Sequence, residues 1–466
     1  MTQAVPPTPP HDARAAASRS ARPIDAPALE EAGGGSAPGL FAHWGGIRFQ
    51  ALLAVGLKGG AAASALLLQW LIARIYGPEG TGMFALMATT AVFIGVLAVA
   101  GQDFIALRNV AGDLAEGKPE SARAHARASL RIAAFGTVLG TVALAATALA
   151  YGAGLEPAMT PVLLLALPVV AGLSLGRVCA FVARAGGRAI ASQLPDGPIT
   201  SAVAVSLLGL ALAVGGVPPS WTLGAIYGAA YLAALLFAAW LYRTVRQGWP
   251  KPERGSEVAL PLRPIVLAGL PMMVANALPY FSDWLVIFTT TALLGPEAAG
   301  QIRIVTLFLS VMYLVTIALD SVLSPAIAGA IRLRDRTRVR RLYRNYTALA
   351  LALNVPLMLV GAGFPELYLG LFGPEFVPIA PALRIAVALQ ALSILLGPAG
   401  IVLVMAHREQ WTLAVNAVGL VVLAIGCALV IPAWGAFGGA LVGASVLLSK
   451  RATEVALMRR LVWRSL

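Results

Sequence analysis

Charge is scarce in this sequence. Only 12% of its 466 residues are Asp, Glu, Lys or Arg, against about 25% in a soluble domain, so water is not the main solvent of the fold. Cysteine is nearly absent. Cys179 and Cys427 both lie inside apolar segments, far apart, which excludes a metal or redox motif and leaves small packing residues. The HExxH, Walker A and dinucleotide fingerprints are missing. Gly33-Gly34-Gly35 has no strand before it. No metal, no cofactor and no enzymatic reaction are expected. Ten-residue alternating segments, which would mark a β-barrel, are also missing. Met1 to Leu40 has no short apolar core after a basic start, as a secretory signal needs.

What is abundant is apolar. Hydrophobic residues make up 59% of the chain. Runs of 18 or more recur, each long enough to cross about 30 Å of hydrocarbon as a helix. Helices satisfy their own backbone hydrogen bonds, which lipid cannot do. The expected fold is an all-α polytopic membrane protein with about twelve transmembrane helices. Their approximate limits are 49–75, 83–106, 130–152, 161–183, 197–216, 222–242, 264–294, 301–328, 346–364, 381–405, 412–432 and 436–457. Lys450 and Arg451 interrupt the last. Residues 1–44, rich in Pro, Ala, Gly and Ser without apolar periodicity, read as a disordered cytoplasmic tail.

Lys and Arg set the orientation. They crowd the connections between spans two and three, six and seven, and eight and nine, where Arg332 to Arg344 holds seven arginines, and they return at the C-terminal end. The opposite connections carry Glu79, Glu156, Glu297, Glu366 and Glu375 instead. Both termini are therefore expected inside, in a bacterial inner (plasma) membrane. The net charge of +13 reads as topology signal facing anionic inner-leaflet lipid. Apart from Tyr343 and Tyr346 the arginine cluster lacks interleaved aromatics, and no nucleic-acid partner is expected.

The pattern Gly-Pro-Glu-x-x-Gly occurs twice, 218 residues apart, at Gly77–Gly82 and Gly295–Gly300, each between two apolar runs. Six crossings separate the copies, so both turns face the same side. A parallel repeat of two six-helix lobes, related by a pseudo-two-fold along the membrane normal, is expected. The limits are 45–245 for the N-terminal lobe, 246–262 for a cytoplasmic linker and 263–466 for the C-terminal lobe. A weaker echo links Arg184–Arg188 with Ala406–Glu409.

Such lobes enclose a pathway only if polar residues line up at membrane depth. In span eight Arg303, Thr306, Ser310, Tyr313, Asp320 and Ser324 recur at helical steps. Asn276, Tyr280 and Asp283 share a face of span seven, and Lys58 and Gln69 share one of span one. Charges at this depth cost about 2.5–3.5 kcal/mol each, which a bundle interior or water-filled cavity offsets. Lys58 is expected to pair with Asp283. Arg74, Arg177, Arg303 and Arg384 lie nearer span ends, where snorkelling to the interface is the alternative. Pro271 and Pro279 permit kinks in span seven beside Asp283.

Leu71-Ile72-Ala73-Arg74-Ile75-Tyr76-Gly77-Pro78-Glu79-Gly80-Thr81-Gly82 resembles the first helix end of the polysaccharide-export, or Wzx-like, flippases. These belong to the multidrug/oligosaccharidyl-lipid/polysaccharide exporter superfamily. Gly101-Gln102-Asp103 with Arg108, the stretch from Leu371 through Arg384, and Gly435 to Ala440 resemble later parts of that family. The likeness runs over about 48–458. The chain departs from the family at Gln301 and Ile302, often aromatic there, and at His407, usually small, and it lacks the two extra helices of the lipid II flippases.

The resemblance implies an isoprenoid-diphosphate-linked sugar chain, flipped from the inner to the outer leaflet by alternating access. It also implies glycosyltransferase or polymerase partners. Lys58, Arg74, Arg177, Arg303 and Arg384 suit the diphosphate; Gln69, Asn276, Thr306 and Ser310 suit sugars; membrane lipid takes the tail. Asp283 and Asp320 suit coupling or gating by a proton or sodium ion, or the membrane potential supplies the drive. The alternative is a multidrug-type exporter of the same superfamily. A membrane glycosyltransferase is disfavoured, because no outward loop exceeds roughly 16 residues.

Overall fold

A positive-φ glycine ends four of the helices that reach the Glu-bearing side. Gly77 (φ 64°, ψ −163°) interrupts α1 (Leu40–Val99), and Gly295 (φ 85°, ψ 173°) separates α8 (Leu262–Leu294) from α9 (Pro296–Arg332). Gly216 (φ 76°, ψ −156°) follows α6 (Pro198–Gly215). Gly435 (φ 60°, ψ −146°) interrupts α14 (Glu409–Leu461). Only glycine adopts this backbone without steric cost. Gly77 and Gly295 are 218 residues apart; Gly216 and Gly435 are 219 apart. The turn that repeats in sequence is thus one of two that repeat in geometry.

The arginine-rich side repeats as well. Gly187 after α5 (Leu167–Ala185) and His407 after α13 (Ala399–Met405) are both left-handed. Their capping bonds match one for one: Gly186, Gly187 and Arg188 N–H donate to Val182, Arg184 and Ala183, as Ala406, His407 and Arg408 do to Val402, Val404 and Leu403. The same correspondence holds between Gly117, after α2 (Gln102–Ala115), and Arg334, after α9. Duplication is therefore written into hydrogen bonds where the side chains have diverged.

This computed structural model describes residues 40–155, 157–249 and 260–463, with the side chains of 40–55, Lys58, Gly154, Leu155, Ser321 and Val322 outside the description. Helix α1 starts at Leu40, within the stretch read as a tail. The rest of that tail, and 250–259 of the expected linker, lie outside the described residues. The remaining helices are α3 (Pro119–Ala150), α4 (Met159–Leu165), α7 (Thr222–Gln247), α10 (Arg336–Met358), α11 (Pro365–Phe372) and α12 (Ala380–Leu395).

Among the described residues, ten helical stretches are long and apolar enough to cross a membrane. Helix α14 doubles back at Gly435, which sets Gly419 beside Lys450 and Gly426 beside Val442, and α1 breaks with the same backbone at Gly77. Twelve crossings result. Lys450 and Arg451 do not interrupt the last one: the helix runs through them, and Arg451 pairs with Glu454 one turn on, at 3.3 Å. One element was not foreseen. Residues 102–115 form their own helix, α2, which packs on α3 and α5 and contacts α8.

Residues 52–466 form one compact unit, and the two lobes meet along α1 and α8. The second half of α1 runs beside α8 through much of the membrane depth. Trp284 donates from Nε1 to Thr90 Oγ1 at 3.1 Å. Phe93 packs on Phe281 and stacks on Trp284, with centroids 5.4 Å apart in each case. Farther along, Gly101 abuts the Gly269 carbonyl, and Gln102 donates to Ile265 O.

Candidate functional site

The two Gly-Pro-Glu turns press on each other. A Cβ added to Gly82 would lie 1.7 Å from the Pro296 carbonyl oxygen, and one added to Gly300 would lie 1.9 Å from the Pro78 carbonyl oxygen. Each motif's last glycine thus receives the other motif's proline carbonyl, in a reciprocal contact that only a Cα without a Cβ permits. On the same side Trp70 donates to Leu371 O at 2.9 Å. The lobes are closed here.

A cavity lies away from these turns, lined by residues of the second half of the chain. It measures about 510 Å³ and opens among α8, α9, α12 and the two arms of α14. Its polar groups are Ser282, Asp283, Thr306, Ser310, Tyr313, Gln390, Asn416 and Lys450; residues such as Leu278 and Leu309 fill the rest. Ser310 and Tyr313 are exposed within it. Lys450 lies fifteen residues beyond the Gly435 turn, about 22 Å down the helix. The cavity therefore reaches well into the half of the bundle away from the closed turns.

Asp283 pairs with Arg303, Nη1 to Oδ2 at 3.3 Å. Its described partner is one helix away in the same lobe. The expected pairing with Lys58 involves a side chain outside the described residues. The Arg303 Nε–H is buried without a partner, so a donor remains beside the cavity. In the other lobe Arg177 Nε lies 3.0 Å from Asp103 Oδ2, with the side chains 15% and 2% exposed. The N–H is not aimed at the carboxylate, so the attraction is ionic. Arg177 also meets the Tyr280 hydroxyl of α8, which ties this buried pair to the opposite lobe.

The other expected residues scatter. Thr306 and Ser310 line the cavity; their hydroxyls donate back to Arg303 O and Thr306 O. Asn276 is half-buried on α8 outside the lining. Gln69 is buried, with Oε1 unpartnered. Arg74 is exposed. Arg384 binds Glu366 at 3.2 Å and the Ala362 carbonyl, half-exposed at the turn side. Asp320 accepts a short hydrogen bond from Tyr346 of α10. Asp320 shares nearly the same face as Tyr313 but lies seven residues, about 10 Å, farther along the helix, outside the cavity lining.

Four polar cavity groups lie outside the expected faces: Ser282, Gln390, Asn416 and Lys450. Lys450 carries a signal, a lysine inside an apolar run, which by sequence alone reads as a break in the helix rather than a lining group. Asp103, the partner of Arg177, stood in a motif segment without an assigned role. Among the described residues no group of three or more His, Cys, Asp or Glu is placed to hold a metal ion.

No protein-family model and no curated sequence matches the chain. Solved structures share its fold. An inward-facing multidrug resistance MATE family transporter of the MOP superfamily aligns with a TM-score of 0.65 at 14% identity, over 88% of this chain and 98% of that one. The lipid II flippase MurJ, in an inward closed conformation, gives 0.66 at 10% identity, over 88% and 87%. An outward-facing structure of a MATE family transporter gives 0.56 at 14% identity, over 89% and 95%. The fold is thus the twelve-helix, two-lobe fold of these transporters.

Proposed function

We propose that the protein is a flippase that moves an isoprenoid-diphosphate-linked oligosaccharide or polysaccharide precursor from the inner to the outer leaflet by alternating access. The observation that carries this reading is the cavity itself. It lies away from the closed Gly-Pro-Glu turns and is lined by Lys450, amides and hydroxyls, with Arg303 and its free Nε–H beside it. A diphosphate needs cationic donors in a desolvated place; sugars need amides and hydroxyls; the isoprenoid stays in lipid at the seam between the lobes. With a negative interior, each negative charge moved fully outward gains about 2.3 kcal/mol per 100 mV. The bacterial inner-membrane location, the cytoplasmic termini, the lobe limits at 45–245 and 263–466, and glycosyltransferase or polymerase partners belong to the same reading.

The test is a proteoliposome assay with a fluorescent polyprenyl-diphosphate sugar, read by quenching of the outer leaflet. Transport above protein-free vesicles supports the reading, and its absence in an actively folded sample refutes it. A second reading, a multidrug-type exporter, is favoured by one observation: the Asp283 carboxylate is 45% exposed in a cavity with a largely apolar wall. Binding of organic cations that is lost in Asp283→Asn, with no lipid transport, would select it.

A further inference from the structure

The arginine cluster between α9 and α10 has a structure that a topology signal does not require. A second cavity, about 920 Å³, lies among the first turns of α10, the end of α12 and the end of α14. It shares no lining residue with the central cavity. Arg336, Arg340 and Arg344 stand at successive steps of four on α10, so they form one row; Arg341 and, from α14, Arg459 join them. Like charges at this spacing repel one another.

Nothing described neutralises them. Asp335 accepts the Arg338 N–H as the helix cap at 2.8 Å. Glu454 is held by Arg451, and Asp320 by Tyr346. Among the described residues the five lining arginines have no carboxylate partner, yet they converge on one space.

The facing wall is apolar: Leu395, Leu396, Val455, Met458 and Trp463. Arg336 lies over the Trp463 ring, 5.5 Å from its centroid. The Tyr343 hydroxyl donates to Leu396 O and fixes that wall. From the cavity an apolar path leads outward along α12, where Leu395 and Leu392 are 57% and 49% exposed. A cavity with a cationic wall, an apolar wall and an apolar exit matches a phosphate headgroup with an attached acyl chain, held at the level of the helix ends.

We propose that this cavity binds the phosphate headgroup of an anionic membrane lipid, separately from the transport pathway. Basic pockets between helix ends on the basic side of a membrane protein have the chemistry for this, and arginine forks match phosphate oxygens.

The test uses the full chain in non-ionic detergent and reads bound lipid by native mass spectrometry. It is titrated with phosphatidylglycerol, phosphatidylcholine or inorganic diphosphate. Phosphatidylglycerol should bind, phosphatidylcholine should not, and millimolar diphosphate should fail to displace the lipid. R340Q/R344Q should weaken phosphatidylglycerol binding roughly 30-fold, from the contribution of two basic residues at a membrane surface. L395W, which narrows the apolar exit and keeps every charge, should weaken it too, and it decides the matter if the double variant does not fold. Unchanged phosphatidylglycerol retention in these variants overturns the proposal. So does equal binding of phosphatidylcholine, and so does displacement by diphosphate, which would mark a site for soluble phosphates. Because the readout is binding, the result stands whether or not the flippase reading survives.

Discussion

Arg177 and Asp103 show what one residue can do at membrane depth. Taking either charge away leaves the other buried and unpaired, which costs about 3–5 kcal/mol, while replacing both with apolar groups is often neutral. R177Q and D103N should each lower the thermal unfolding midpoint in detergent markedly, and R177M/D103L should recover most of the loss. Equal damage in the double variant would show that the pair is not the source. His407 gives the opposite case. It holds the left-handed position that Gly187 holds in the other lobe, at a cost of about 1–2 kcal/mol for a side chain. His407→Gly should therefore stabilise the protein by up to that amount in the same unfolding measurement. That this position departs from the usual small residue was visible in the sequence; that it is the geometric twin of Gly187 was not, because φ is not written in residue identity.

At the scale of elements, the decisive contact is between two turns. Gly82→Ala or Gly300→Ala places a methyl group inside a facing carbonyl, and overpacking of this kind costs about 1–3 kcal/mol. If the contact forms only in the closed state, the equilibrium shifts toward opening at the turn side by roughly 5- to 150-fold. Spin labels at Glu79 and Glu297 should report a longer distance in either variant, with overall stability little changed; an unaltered distance would count against the closed-gate assignment. The helices themselves were legible from hydropathy, since each apolar run is a property of its own residues. Their faces were legible only over short stretches. From Thr306 to Tyr313 the polar row lines the cavity, and Asp320, about 10 Å farther along the same helix, meets Tyr346 of α10 instead. The separate helix α2 was hidden because span two was extended into it.

For the whole molecule, two lobes and twelve crossings followed from a repeated hexapeptide and a biased distribution of arginine. The cavity did not, because its lining depends on how five helical segments rotate toward one another. Asn416 and Lys450 come from the two arms of one hairpin, and nothing in their spacing announces that they face Asp283. The transport reading makes a demand on them. Lys450→Gln should reduce flipping of the labelled lipid diphosphate about tenfold, the worth of a charged hydrogen bond, while Lys450→Arg retains most of it. No loss in Lys450→Gln would remove this residue from the pathway.

The meeting of the Gly-Pro-Glu turns carries one more implication. Gly82 touches Pro296 as Gly300 touches Pro78, the isologous logic of a symmetric dimer retained inside a single polypeptide. In a true dimer every substitution in that patch would strike twice. Here each copy is free to vary alone, so the fused chain can loosen one half of its clasp and keep the other, in smaller increments than a symmetric assembly allows.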